Sequence, residues 1–328
     1  MTAPPKSSHT PATRRRRKRS IPAPSPTPAR RVLVTGASGL VGRKVLPHLR
    51  QRGWEVVAVE RRLRPATSIP GTIQLTADLR SSGWQSWCQG CTALLHLAGS
   101  FDEEPGDERG SPHPDFVLAR NLATACSELG IARTVLLSAL GAGAQSPTRF
   151  QRGKWQAEES FRVAGLQWTT VRIPPLFGSG DHWTQRLTTA LERLPLFPVS
   201  GDGSSRIQPL AVDELAGYLV DVLEDPDSFG RTLEAGGPEV ITYRELLRRT
   251  AYAVKTSFRP VWLSRSAARL LLPLAARIAR TPLNRGPLAL LHLGGFVSRE
   301  EEGAAFRGTQ RYQGPTWLND DVSLTLPG

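Results

Sequence analysis

The sequence predicts an α/β protein: a doubly wound parallel sheet with a smaller C-terminal lobe. Three observations carry this. Short apolar runs alternate with helical patterns between residues 31 and 173, as parallel βαβ units do. A glycine-rich loop joins the first apolar run to the first helical one. The later chain turns Arg- and Leu-rich and is interrupted by Pro260, Pro273, Pro282 and Pro287, so a second unit follows.

The elements follow in order. Val32-Leu33-Val34-Thr35 is a short apolar strand. Residues 43–50 read as a helix with Val45, Leu46 and Leu49 on one face, although Pro47 counts against it or kinks it. Strands are expected at 55–59, 72–76, 91–98, 133–138 and 168–173, and helices at about 116–129 and 153–164. A short strand at 206–212 leads into an amphipathic helix at 213–223. Thr242 can cap a helix running to about residue 254. The expected division is a disordered basic, Pro-rich tail over 1–30, a nucleotide-binding domain over 31–235 with 176–210 contributing to the second lobe, and a mostly helical substrate or partner lobe over 236–328.

Charge separates the tail from the rest. The chain has a net charge of +13. Residues 1–31 hold nine Lys/Arg, six of them in the run Arg14–Arg19, and no acid; the other 297 residues carry 33 basic and 29 acidic side chains. The fold proper is therefore nearly neutral, which argues against nucleic-acid binding except through the tail. Seven prolines and almost no large apolar residue leave residues 1–30 too little to bury to offset their ordering entropy. The arginine run lacks the apolar segment of a secretory signal, so the expected location is cytoplasmic. Three cysteines exclude a disulfide scaffold. Cys88 and Cys91 form a CxxC near His96, but no second pair has matching spacing, so no metal is expected.

Thr35-Gly36-Ala37-Ser38-Gly39-Leu40-Val41-Gly42 is a T-G-x-x-G-x-x-G loop between strand and helix. Glycines at these positions allow a tight turn and close backbone approach to a pyrophosphate, and the helix N-terminus supplies free N–H groups. This is the dinucleotide loop of a Rossmann sheet. Glu60, Arg61, Arg62 and Arg64 stand at the end of the second strand. An acid there accepts the ribose hydroxyls of NAD, and an arginine holds the 2′-phosphate of NADP. The basic cluster, with Arg43, tips the expectation towards NADP(H) over NAD(H). Asp78 and Leu79 are placed to contact the adenine, with a helix cap as the plain alternative for Asp78.

Beyond this loop the sequence resembles the extended and atypical short-chain dehydrogenase/reductases. His96-Leu97-Ala98-Gly99 resembles their fourth-strand motif beside the cofactor ribose, Leu136-Leu137-Ser138-Ala139 the strand bearing the catalytic serine, and Arg172-Ile173-Pro174-Pro175-Leu176-Phe177-Gly178 the turn against the nicotinamide. The likeness continues through Gly201-Asp202-Gly203, Val212-Asp213-Glu214-Leu215-Ala216 and Gly236-Gly237-Pro238 to about Thr250. It is nearest to the branch of the Rossmann-type accessory subunit of respiratory complex I, with NmrA-like proteins as neighbours. The resemblance implies catalytic Ser138 and Lys154, and cofactor contacts from Leu97, Ala98, Gly99, Lys154 and Pro174.

One departure bears on function. Where the family has Y-x-x-x-K this chain has Phe150-Gln151-Arg152-Gly153-Lys154, and no tyrosine precedes Tyr218. Loss of a general acid typically costs about 10²–10⁴ in rate. His113, Asp181 and His182 are candidate substitute acids, and Glu158 is expected to support the fold. Lys154 stands out because the chain holds five lysines among 42 basic residues. Two functions follow: an atypical oxidoreductase or epimerase/dehydratase relative acting on an unidentified small molecule, or a non-catalytic NAD(P)H-binding assembly subunit or redox sensor. Residues 261–293 interleave Arg265, Arg269, Arg277 and Arg280 with Leu270, Leu271, Leu272, Leu274 and Ile278, a pattern for a protein partner or the inner membrane surface.

Overall fold

The computed structural model describes residues 30–61, 71–81, 83–99, 112–278, 280, 297–298 and 306–315. Residues 1–29 of the tail expected over 1–30, together with Arg62, Arg64 and residues 281–293, lie outside them. β1 (Arg31–Thr35) leads through the glycine loop into α1 (Leu40–Gln51), then β2 (Glu55–Glu60), β3 (Thr72–Thr76), a 3-10 turn at Gln85–Cys88, and β4 (Ala93–His96). α2 (Pro114–Leu129), β5 (Arg133–Ala139), α3 (Arg149–Val163) and β6 (Gln167–Ile173) follow. After β7 (Leu176–Phe177) come α4 (His182–Arg193), β8 (Leu196–Ser200), β9 (Arg206–Ile207), β10 (Leu210–Ala211) and α5 (Val212–Glu224). The described chain ends with β11 (Arg231–Gly236), β12 (Ile241–Thr242), α6 (Tyr243–Ala253), β13 (Arg259–Leu263), α7 (Arg265–Ile278) and β14 (Phe306–Arg307).

Eight strands form one parallel sheet in the order β14-β11-β6-β5-β4-β1-β2-β3. Its central strands are apolar on both faces because helices cover both. Val32 and Val34 face α1 and α5, packing with Val45, Leu46, Leu215 and Leu219. Leu33 and Leu94 face the other layer, with Leu122 of α2 and Phe161 of α3. Pro47 does not break α1. Full burial of Val45, Leu46 and Leu49 is worth about 1.5–3 kcal/mol each, more in sum than the ~3 kcal/mol an interior proline costs. Arg133 joins layers: its guanidinium donates to the carbonyls of Val222 and Leu223 at the end of α5 and to Thr169 and Ser228. Burial pushes its pKa down to about 10.

A second core holds Phe150, Phe177, Trp183, Leu187, Phe197, Tyr243, Leu246 and Tyr312. It joins α4, α6 and the parallel pair β8–β13 to the carboxyl ends of the large sheet.

Several boundaries differ from expectation. α3 begins at Arg149, four residues early, because Thr148 Oγ1 accepts the Gln151 N–H and caps it. β4 begins at Ala93, after Cys91. β11 had no expected counterpart; its Arg-Thr-Leu-Glu-Ala-Gly run lacks a continuous apolar stretch but pairs with β6. Residues 259–263 form a strand rather than helix, and β14 returns from the expected C-terminal lobe to the edge of the large sheet.

Candidate functional site

A cleft of about 370 Å³ opens at the carboxyl ends of β1, β2, β3 and β4, where the strand order reverses on either side of β1. The glycine loop forms its floor. Gly36 has φ +74°, and a Cβ there would come within 2.6 Å of the Ala98 nitrogen, so the absent side chain lets the loops after β1 and β4 touch. Gly42 packs α1 onto the carbonyls of Gly36 and Ala37. Gly39 differs: it is exposed, caps α1 with no side-chain bond, and a Cβ there would project over the loop with only the Gly36 carbonyl near, at 3.1 Å. The first turn of α1 holds no acid, so its N–H groups present uncancelled positive potential to the cleft. Ser38 and Gly39 line the cleft, while Val41 is buried and Leu40 packs against the sheet core. Arg43 donates to the Ser38 carbonyl at 2.8 Å.

Glu60, at the end of β2, lines the same cleft and is buried, yet among the described residues its Oε1 has no hydrogen-bond partner. A buried, unpartnered carboxylate oxygen is costly unless something fills the cleft beside it. Arg61 also lines the cleft and is exposed. Asp78 is partly turned away from the adenine role: it accepts Arg80 Nη2 at 2.9 Å and the Arg80 backbone N–H at 3.0 Å, and these bonds hold its carboxyl below the usual range. Leu79 is buried on the cleft wall, and its carbonyl accepts Asn121 Nδ2 of α2 at 3.3 Å.

The opposite wall joins β4 to α2 and α3. Thr35 Oγ1 lies 2.6 Å from His96 Nδ1 and accepts the Ala98 N–H at 3.4 Å. His96 is fully buried; burial, with Lys154 nearby, pushes its pKa down to about 3, so the ring is neutral. Leu97 packs on the sheet core, and Ala98 and Gly99 line the cleft. Lys154 Nζ reaches over from α3 to pair with Asp115 Oδ2 at 2.9 Å, both groups being buried. A Cβ on Gly99 would overlap Nζ, so this glycine makes room for the ion pair. Asp115 was not anticipated, although His113-Pro114-Asp115 carries a helix-start signature, with Pro at N1 and an acid in the first turn.

Other expected residues are placed as follows. Phe150 is buried in the second core, with Lys154 Nζ 5.8 Å from its ring centroid and the His113 ring edge-on at 6.3 Å. The buried hydroxyl of Ser138 donates to Glu158 Oε1 at 2.6 Å and so braces α3. Glu158 is wholly buried and also accepts Arg172 Nε and Nη2, at 3.0 and 2.7 Å. The carboxylate therefore holds both the Ser138 hydroxyl and the Arg172 guanidinium. Pro174 is buried just past β6 and is not among the cleft-lining residues. Asp181 is a cap rather than a free acid: it accepts the Thr184 N–H at 2.9 Å and the Gly178 N–H at 3.1 Å, while burial raises its pKa. His182 is exposed at the start of α4. Burial raises the thiols of Cys88 and Cys91 to about 12 and 11, and among the described residues no cluster of His, Cys, Asp and Glu could hold a metal ion.

The cleft fits a dinucleotide: an open glycine cradle under a helix N-terminus, and a carboxylate oxygen awaiting a donor. A model of the NAD(P)H-binding family matches residues 36–226. The chain is 27% identical over 227 residues to the mitochondrial NADH dehydrogenase (ubiquinone) 1 alpha subcomplex subunit 9 of Arabidopsis thaliana, covering 65% of this chain and 55% of that protein. It is 28% identical over 226 residues to the ceramide reductase of Caulobacter vibrioides, covering 68% and 70%. This chain thus spans little more than half of the plant subunit. Among solved structures, MoeE5 in complex with UDP-glucose and NAD superposes with a TM-score of 0.66 at 20% identity, covering 89% of this chain and 99% of that one, which shows the shared fold. With its glycine cradle, parallel sheet and family match, the chain belongs to the NAD(P)H-binding family, within the extended short-chain dehydrogenase/reductase superfamily.

Proposed function

We propose that this protein binds NAD(H) and does not reduce carbonyls by the Ser-Tyr-Lys route of its superfamily, serving instead as a dinucleotide-dependent assembly subunit or redox sensor in the cytoplasm. Phe150 carries this reading. A buried ring without a hydroxyl stands where the superfamily's tyrosine gives up its proton. Ser138 supports it, because its hydroxyl is committed to Glu158. A bound nicotinamide supplies hydride chemistry; this chain's residues hold and orient it. Gly36, Ser38, Gly39 and the first turn of α1 would take the pyrophosphate, and Glu60 the adenine ribose. Lys154, braced by Asp115, would meet the second ribose. The expectation from the basic cluster favoured NADP(H), but a 2′-phosphate would lie against the buried Glu60 carboxylate, so Glu60 supports NAD(H). The relationship to a subunit of respiratory NADH dehydrogenase is in keeping with the role of an assembly subunit.

A second reading, an atypical oxidoreductase acting on a small molecule, rests on His113. It lines the cleft, sits edge-on to Phe150, and its Nδ1 accepts the Asp115 N–H at 3.2 Å, which fixes an imidazole at the cleft wall. The ceramide reductase relative favours this alternative. Two measurements separate the readings. In fluorescence titrations, wild type should bind NADH more tightly than NADPH, and Glu60→Ala should weaken NADH by about 1–3 kcal/mol while sparing NADPH. Tighter NADPH binding, lost in Arg61→Ala, would restore the NADP(H) assignment. Against a carbonyl panel, wild type should be silent and Phe150→Tyr should gain turnover. Wild-type turnover abolished by His113→Asn would establish the second reading.

A further inference from the structure

From Leu246 to Arg299 the chain holds ten Lys/Arg and no Asp or Glu. That is 54 consecutive residues of one charge sign in a fold whose other residues carry 23 basic and 29 acidic side chains, and it is separate from the basic tail. α7 lies within this stretch. Ala268 is buried and Ala275 packs on the second core, so one side of the helix faces inward. Flanking that side, Leu271, Leu274 and Ile278, spaced i, i+3 and i+7, are 40%, 55% and 63% exposed. Residues at this spacing share one helix face. Arg277 and Arg280 beside them are exposed, and Trp262, at the end of β13, is 44% exposed. Large aliphatics in solvent on one face, rimmed by cations with no acid near them in sequence, are a costly arrangement for a surface that meets only water.

We infer that this face of α7 seats in the interface of a bilayer containing anionic lipid. The charge argues for an anionic occupant. The protruding aliphatic row argues for lipid over nucleic acid, whose phosphates offer such side chains nothing to bury against. Fourteen residues make a helix of about 21 Å, shorter than the ~30 Å hydrocarbon core. Among the described residues no helix is long and apolar enough to cross a membrane. The helix therefore lies in the plane of the interface, with Leu271, Leu274 and Ile278 below the headgroups and Arg277 and Arg280 at their level. The cofactor cleft uses none of these residues, so this inference stands or falls independently of the one above.

The test is sedimentation of the full chain with vesicles of phosphatidylglycerol mixed with phosphatidylcholine, and with phosphatidylcholine alone. Two variants accompany wild type: Leu274→Glu with Ile278→Glu, and one in which Arg14–Arg19 are all replaced by Gln. Cofactor binding by each, followed by fluorescence, reports that the fold is intact. Wild type and the tail variant should sediment with the anionic vesicles, and the Leu274→Glu/Ile278→Glu protein should lose about tenfold or more of its affinity. Sedimentation that survives both glutamates, or vanishes when the tail is neutralised, would overturn the assignment. So would a wild-type protein that ignores anionic vesicles, or one that binds RNA while leaving them in solution.

Discussion

His96 shows how far a single residue's role depends on partners remote in sequence. The sequence motif placed it beside a cofactor ribose; the structure adds Thr35, 61 residues away, at 2.6 Å. The ring is neutral because burial holds its pKa near 3, against 6.5 when unfolded. Between those values the unfolded chain takes up a proton that the folded chain refuses. Stability from this group is complete above pH 6.5 and falls as the pH drops, by about 1.4 kcal/mol per unit. Urea unfolding at pH 7.0 and 5.5 should show wild type losing about 1–2 kcal/mol more than His96→Gln, which has no proton to gain. Equal losses would mean that the ring charges inside the fold. Phe150 was fully legible, since an absent hydroxyl needs no coordinates to be noticed. The engagement of Ser138 was not, because nothing local announces that Glu158, twenty residues on, takes its hydroxyl.

At the level of elements, legibility follows burial. β1, β4 and β5 read clearly because strands covered on both faces must be apolar throughout. β13 was missed because it is largely exposed, and pairing with β8 rather than burial makes it a strand. α3 was placed late because Gly153 reads as a boundary, whereas it lies in the helix interior. Its role is contact: the His113 ring lies where a Cβ would be, and the nearest atoms are His113 Cγ, Cβ and Nδ1. In a free helix Gly→Ala gains about 0.5–1 kcal/mol. Here the added methyl meets atoms next to the His113 backbone that cannot swing aside, and overpacking costs about 1–3 kcal/mol. The second effect wins, so Gly153→Ala should lower the urea midpoint. A raised midpoint would show that His113 moves freely.

The whole molecule is joined by a short segment that sequence patterns gave no reason to notice. Residues 306–315 begin as β14 on the edge of the large sheet, beside β11. Phe306 stacks on Tyr218 at 4.4 Å, and the Glu214 carboxylate of α5 accepts the backbone N–H groups of Thr309 and Gln310. The segment then enters the second core, where Tyr312 is buried against Phe177 and Trp183, its hydroxyl 2.8 Å from Thr250. Ten residues thus touch both cores. Near the other end, Arg30 pairs with Glu224 at 2.9 Å and lies over the Trp54 ring at 4.4 Å. Removal of residues 1–29 should leave the melting temperature nearly unchanged, whereas a chain ending at Ala304 loses two aromatic anchors worth about 1.5–3 kcal/mol each and the bonds to Glu214 and Thr250. At roughly 2–4 °C per kcal/mol, that truncation should lower the melting temperature by about 10 °C or more. Tyr312→Phe, which keeps the ring, should recover most of the loss when measured in the full chain. A truncated chain that melts with wild type would show that the two cores hold together without this clasp.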